Sequence, residues 1–343
     1  MTGIRVAVIA GAMAISVVGA CSTATRGAAP DIEGPTIQIE DVALFYRIYD
    51  AAGGHPSAEQ LQRDYIDAGT EGLRTFARVR NTTGARIWEA IANRPEIYAD
   101  ARRCADVLPR VRRRLDVALH NLHEVYPAAN FPPVTIAVGR GRPVGVGSPT
   151  TGVQIGLEAL CATDFLNPNV EDRFVYVIAH EFAHVQQAPE LADGETPTVL
   201  EASLMEGAAE FIGEITAGSV AYSHLGAVTA GRELEIETAF AEAIESTDLS
   251  AWLYNTTADA PGDLGYWVGY RIVRSYYEHA ADKRRAVREI LQMTDARAFL
   301  VASRWRPGIE FDYAWRPMSS WPSPPMISSC VIAPSAISAS LST

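Results

Sequence analysis

Apolar residues recur at helical intervals from about Ile39 to Leu122. In "PSAEQLQRDYIDAGTEGLRTFARVR", Ser57 and Gln60 stand at the spacing of a capping box, and Leu61, Tyr65 and Ile66 then fall on one side. Pro95 and Pro109 interrupt the helical pattern that runs on to Leu122. The period then changes. "PPVTIAVG" (132–139) and "TGVQIGLEAL" (151–160) are β-branched runs with partial alternation, joined by "RGRPVGVGSPT". They predict a two-stranded element with a glycine-rich connection, readable equally as a small structural hairpin. Further helices are expected near 170–188, 197–217, 226–247, 263–281 and 283–292. The expected fold class is mainly α with a small β-sheet, and no internal repeat is visible.

The two ends depart from this texture. An apolar run from Val6 to Val18 follows Arg5 and closes on Val18-Gly19-Ala20-Cys21. It is short for a membrane span, and its small final residues read as a processing site. The order resembles a bacterial lipobox, which implies a leader over 1–20, cleavage before Cys21 and lipidation of that thiol. Ser22, rather than Asp, after the cysteine favours the periplasmic face of an outer membrane. Residues 21–37 are rich in Ser, Thr, Ala, Gly and Pro and read as a flexible tether. The folded domain is then expected over 38–305, with a disordered or atypical tail over 306–343 that is dense in Ser and Pro.

Composition narrows the partners. Hydrophobic residues at 48% and charged residues at 20% are ordinary for a globular chain. A net charge of -12 argues against nucleic acid. The basic cluster Arg102, Arg103, Arg110, Arg112, Arg113 and Arg114 is interleaved with acids and reads as a solvated helix face. If Cys21 is lipidated, Cys104, Cys161 and Cys330 remain, and Cys104 and Cys161 are free to pair in an oxidising envelope. No CxxC pair offers a thiolate zinc site.

The chemistry concentrates in "VIAHEFAHVQQ" (178–188). His180 and His184 are four apart and share one helix face, where two imidazoles can grip one zinc ion. Glu181 is rotated by about 100° from His180, beside the metal position, where a general base belongs. A bare HExxH is only moderately specific, so a third ligand matters. No histidine follows at a suitable spacing, and "LEASLMEGAAEFIGEI" offers Glu201, Glu206, Glu210 and Glu214. Glu206 is the choice, with Glu210 on the same face to orient a ligand histidine. Gly207, Ala208 and Ala209 between them would let this helix approach the metal helix closely. His120 and His123 lack ligand spacing and read as structural or surface groups.

HEFAH followed by EGAAE resembles the gluzincin arrangement of zinc peptidases. More narrowly, "DYIDAGTEGLRTF", "PPVTIAVGRGRPVG", "GVQIGLEAL", "AHEFAHVQQ", "MEGAAEFIGE" and "GYWVGYRIVRSYYEHAADKRRAVREIL" resemble the DUF2268 family of predicted zinc-dependent proteases, related to gliding-motility lipoproteins of the GldB type. The resemblance runs from about residue 40 to 305; the tail after Trp305 has no counterpart in it. It implies a zincin-like fold, Zn2+ as cofactor and a peptide or protein substrate. An oxyanion donor would then come from "GYWVGY", where Tyr266 and Tyr270 are four apart and Tyr270 is the first choice. An extended peptide would lie along the strand near 151–158. Two other readings fit the same residues. One is a non-catalytic lipoprotein acting in envelope assembly or partner binding; the other is a zinc amidase or esterase acting on cell-wall material.

Overall fold

The computed structural model describes residues 35–189, 196–257 and 261–311. The expected leader, Cys21, the tether up to residue 34, and the tail beyond residue 311 lie outside the described residues.

The architecture is mainly α with a small four-stranded mixed sheet. The order is β1 (Ile37–Gln38), α1 (Glu40–Ala51), α2 (Ala58–Gln60) running into a π-helical stretch (Leu61–Asp67), α3 (Glu71–Val79), α4 (Gly84–Asn93), α5 (Pro95–Asp100), α6 (Arg102–Ala105) and α7 (Leu108–Val125). Then come β2 (Val134–Ala137), β3 (Gly147–Ser148), β4 (Gly152–Gly156), α8 (Leu157–Cys161) and α9 (Val170–Gln186). The remaining helices are α10 (Val199–Ala217), α11 (Leu225–Thr229), α12 (Glu233–Ala243), α13 (Leu264–His279), α14 (Lys283–Leu291) and α15 (Ala296–Ser303). Local signals act as read: Ser57 and Gln60 form the capping box, and both interrupting prolines sit in the first turns of helices. No helix among the described residues is long and apolar enough to cross a membrane.

The sheet differs from the expected two-stranded element. Its order is β1-β2-β4-β3, with β2 and β4 parallel, Val134 beside Val153 and Ile136 beside Ile155. Every residue of β2 and β4 is buried, which is why their apolar runs alternate so poorly. The glycine-rich connection itself returns as β3, antiparallel to β4. So β4 is a central strand with both sides paired, and the stretch 151–158 offers no edge to a peptide. Its final residues, from Leu157, have already turned into α8. Ile37, assigned to the tether, is instead buried in β1.

Helix α10 is the centre of the helical layer and packs against both α9 and α13. One of its small residues, Gly207, serves a different contact from the one expected. Gly207 lies against Gly269 of α13, and a Cβ on either would overlap backbone of the facing helix. Helix α9 also meets α10 six residues further on, where Gly213 faces the backbone of His180. Cys104 and Cys161 form a disulfide that closes α6 onto α8. Four of the six arginines in the basic cluster are paired locally: Arg102 with Asp50, Arg103 with Asp100, and Arg110 and Arg114 with Glu171. The residues just after Trp305 are not tail-like. Gly308 N–H donates to the buried Glu237 at 2.6 Å, and Phe311 stacks under the guanidinium of Arg271.

Replacing Gly269 by Ala should lower unfolding free energy by about 1–3 kcal/mol, the cost of overpacking. Gly226, with open space around its Cβ position, is the control and should lose nothing. Urea unfolding of both variants checks this; equal stability would mean the helix crossing is looser than described.

Candidate metal centre

The buried run Phe174, Val175, Val177 and Ile178 fixes α9 in the core, and the polar residues of the motif follow it toward the C-terminal end. Helix α10, started by a Thr198–Glu201 capping box, crosses it with Glu206 and Glu210 buried. The crossing joins the two sequence motifs. His180 Nε2 and His184 Nε2 are 3.0 Å apart, and each is 3.2 Å from Glu206 Oε2.

The outer nitrogens decide what the inner ones can do. Gln187 donates its amide Nε2–H to Met205 O at 2.7 Å, so its Oε1 faces His184 Nδ1 at 2.8 Å as an acceptor. His184 therefore carries its proton on Nδ1 and turns a lone pair inward. His180 Nδ1 lies 2.7 Å from Glu210 Oε1, while Glu210 Oε2 accepts from Tyr222 N–H. In their neutral forms both imidazoles present bare nitrogens to one another and to a carboxylate oxygen. Such a donor set needs positive charge at its centre, and His, His and Glu suit zinc. The electrostatics show the same demand, which protonation of a ring also meets. Burial opposes a charged ring, but hydrogen bonds to Glu206 and Glu210 outweigh it and push the pKa of His180 up to about 10. Burial would raise the Glu206 carboxyl, yet the charge of His184 and its hydrogen bonds hold it well below the usual carboxylate range.

The centre lies on the floor of a cleft of about 540 Å³. Glu181 lines this cleft beside the trio, not within it. Opposite stands the chain segment that enters β3. Val146 exchanges both backbone hydrogen bonds with Gln154, so alternation turns the N–H and C=O groups of Gly145 and Gly147 away from β4. Both glycines are required by proximity, because a Cβ at Gly145 would overlap the Glu181 carboxylate and one at Gly147 its carbonyl oxygen. The sheet edge at the cleft is therefore 144–148.

The tyrosines sort differently from the reading of the sequence. Tyr270 does not line the cleft; its hydroxyl donates to Glu214 at 2.6 Å. Tyr266 does line it, its ring roughly parallel to His180 at 6.1 Å. Tyr254 was not anticipated. It follows no motif, sits in a loop at φ +59°, and donates its hydroxyl to Glu206 Oε1 at 2.9 Å. Burial and the Glu206 charge raise its pKa, so it stays a donor. Gln187 was also missed, although its place three residues after His184 puts it on the ligand face. His120 is exposed and His123 rests against Phe131, both away from the cleft.

Residues 160–299 match the DUF2268 family, described as a predicted Zn-dependent protease. The DUF2268 stretch runs from α8 into α15 and contains both motifs of the centre, together with Tyr254 and Tyr266. The resembling stretches "DYIDAGTEGLRTF" and "PPVTIAVGRGRPVG" lie before it, so the family description reaches less of the chain than the resemblance from residue 40 to 305. No curated protein and no solved structure matches the chain.

Glu210→Ala and Gln187→Ala should each weaken zinc binding by about 10–100-fold, because the ligand rings lose their orienting acceptors. Competition with a chromophoric chelator reads this directly. Unchanged affinity in Glu210→Ala would show that packing alone orients His180.

Proposed function

We propose that this chain is a zinc metallopeptidase with a zincin-like fold, held at the cell envelope by lipid on Cys21. His180, His184 and Glu206 would hold the ion. When bound, zinc supplies Lewis acidity, making water acidic near neutral pH and polarising a carbonyl. The observation that carries the catalytic reading is Glu181. It borders the ligand trio without joining it, and its carboxylate lies against Gly145 of the sheet edge. A purely structural zinc site has no use for a carboxylate there.

The remaining roles follow from position. The outward N–H and C=O groups of Gly145 and Gly147 would pair with an extended peptide, the mode by which sheet edges read main chain. Glu181 would take a proton from the attacking water and return it to the departing amine. The oxyanion donor would be a tyrosine of the cleft, and Tyr254 has its hydroxyl already beside the ligand carboxylate. The anchor rests on the lipobox-like sequence alone, and it would place the enzyme on the periplasmic face of an outer membrane.

Glu181→Gln should keep its zinc and lose about 10²–10⁴-fold in peptide cleavage, since the amide cannot accept the proton. Glu206→Gln should instead lose zinc affinity. In the same assay Tyr254→Phe should lower kcat, whereas Tyr270→Phe should not. Full cleavage by Glu181→Gln would assign the base elsewhere. Zinc binding with no cleavage of any peptide by the wild type would favour the non-catalytic lipoprotein.

Cys21→Ala should move the protein from the membrane to the soluble fraction, because acyl chains supply the anchor. Intact-mass measurement of the wild type gives the decisive reading: an unlipidated chain removes the anchor from the proposal.

A further inference from the structure

Beyond Pro143, Val144, Leu166, Tyr222 and Tyr254, the metal cleft continues into a second cavity of about 970 Å³ that those same residues border. Arg86, Arg94, Arg140 and Arg142 line it, against two acids, Glu89 and Asp263. Asp263 is buried and accepts from Asn255 N–H at 2.9 Å. Among the described residues, none of the four arginines pairs with a carboxylate. Arg86 donates to Asn81 O at 2.7 Å, Arg94 to Gly141 O at 3.0 Å and Arg140 to Arg80 O at 3.1 Å, all of them backbone carbonyls. The contrast with Arg102, Arg103, Arg110 and Arg114, each matched to an acid, is local and specific. In a chain of net charge -12, four arginines without an ion pair around one cavity make a local concentration of positive charge.

The loop carrying Arg140 and Arg142 is also held from beneath. Buried Glu158 accepts from Gly139 N–H at 2.9 Å and from Gly141 N–H at 2.8 Å. Buried Arg80 donates to the carbonyls of Pro143, Val144 and Gln154. The exposed arginines therefore project from fixed backbone, which lowers the ordering cost of binding a ligand.

We propose that this annex binds a carboxylate of the substrate peptide: an Asp or Glu side chain, or the free C-terminus, a few residues from the bond cut. Guanidinium groups match carboxylates in charge and fork geometry. A peptide is the occupant because the annex opens from the sheet edge, whose free main-chain groups suit an extended chain. Arg142 stands three residues before Gly145, the residue against Glu181, and three residues of extended chain span roughly 10 Å. The distance along the substrate rests on the peptidase reading; the charge preference does not.

The test uses the zinc-loaded protein and fluorogenic peptides of one core sequence. Glu, Ala or Lys is placed three residues to either side of the cleaved bond, each peptide with a free or amidated C-terminus. Glu, or the free carboxylate, should raise kcat/KM about tenfold over Ala and the amide, Lys should lower it, and added salt should narrow the gap. The two arms separate side chain from terminus as the source. Arg142→Glu should abolish the preference and leave cleavage of the amidated Ala peptide unchanged; Arg86, Arg94 and Arg140 are spared because each holds a backbone carbonyl. Equal rates for Glu, Ala and Lys, or a preference that survives in Arg142→Glu, would overturn the proposal. If no peptide is cut, the catalytic reading fails by itself, and fluorescence anisotropy with the same peptides then decides the annex. Tighter binding of acidic peptides by wild type alone supports it, and equal binding overturns it.

Discussion

Two buried carboxylates on α10, Glu206 and Glu210, face two imidazoles on α9. Buried negative charge is costly unless something positive meets it, and His180, His184 and Glu206 are placed so that they could hold a cation. Gln187 accepts the outer N–H of His184 and Glu210 stands 2.7 Å from the outer nitrogen of His180, so in the neutral rings the inner nitrogens are bare. The residues that look incidental to a metal site thus determine its chemistry. The same centre depends on packing at a distance, because α10 reaches α9 only while its opposite side lies flush against α13 at Gly207 and Gly269. A larger residue there would shift the helix that carries Glu206.

The sheet serves the centre from the other side. Its central strands are buried and carry no function of their own, but they fix a short edge, residues 144–148, against Glu181. Gly145 and Gly147 permit that approach, and the alternation of backbone groups leaves their amides turned outward. Arg80 and Glu158 hold the loop before this edge, so the cleft and the arginine-lined annex share one rigid wall. Main-chain recognition, proton transfer and charge selection would then be arranged along one strand.

Much of this was legible along the chain. Helical spacing put His180 and His184 on one face with Glu181 beside it, and EGAAE supplied the carboxylate that completes the candidate trio, with Glu210 one turn on. Capping residues and prolines marked where helices begin, and continuous apolar runs marked buried strands. These features are local: each depends on residues within a turn or two of one another, and backbone geometry alone relates them.

What required the tertiary structure is what depends on which elements meet. Nothing in "TGVQIGLEAL" says that it lies between two strands, so the sheet edge was assigned one strand too far. The tyrosines four apart on α13 look equivalent in sequence, yet crossing against α10 directs Tyr270 to Glu214 and leaves Tyr266 in the cleft. Tyr254 stands in no motif and reaches Glu206 across 48 residues of chain. The annex arginines come from α4, the turn before α5 and the β2–β3 connection, and only folding sets them around one cavity. The sequence by itself determined the donor atoms and their local spacing, because a helix turn is short-range geometry. The partners of those atoms, and the walls of the cleft, were decided by the packing of distant segments.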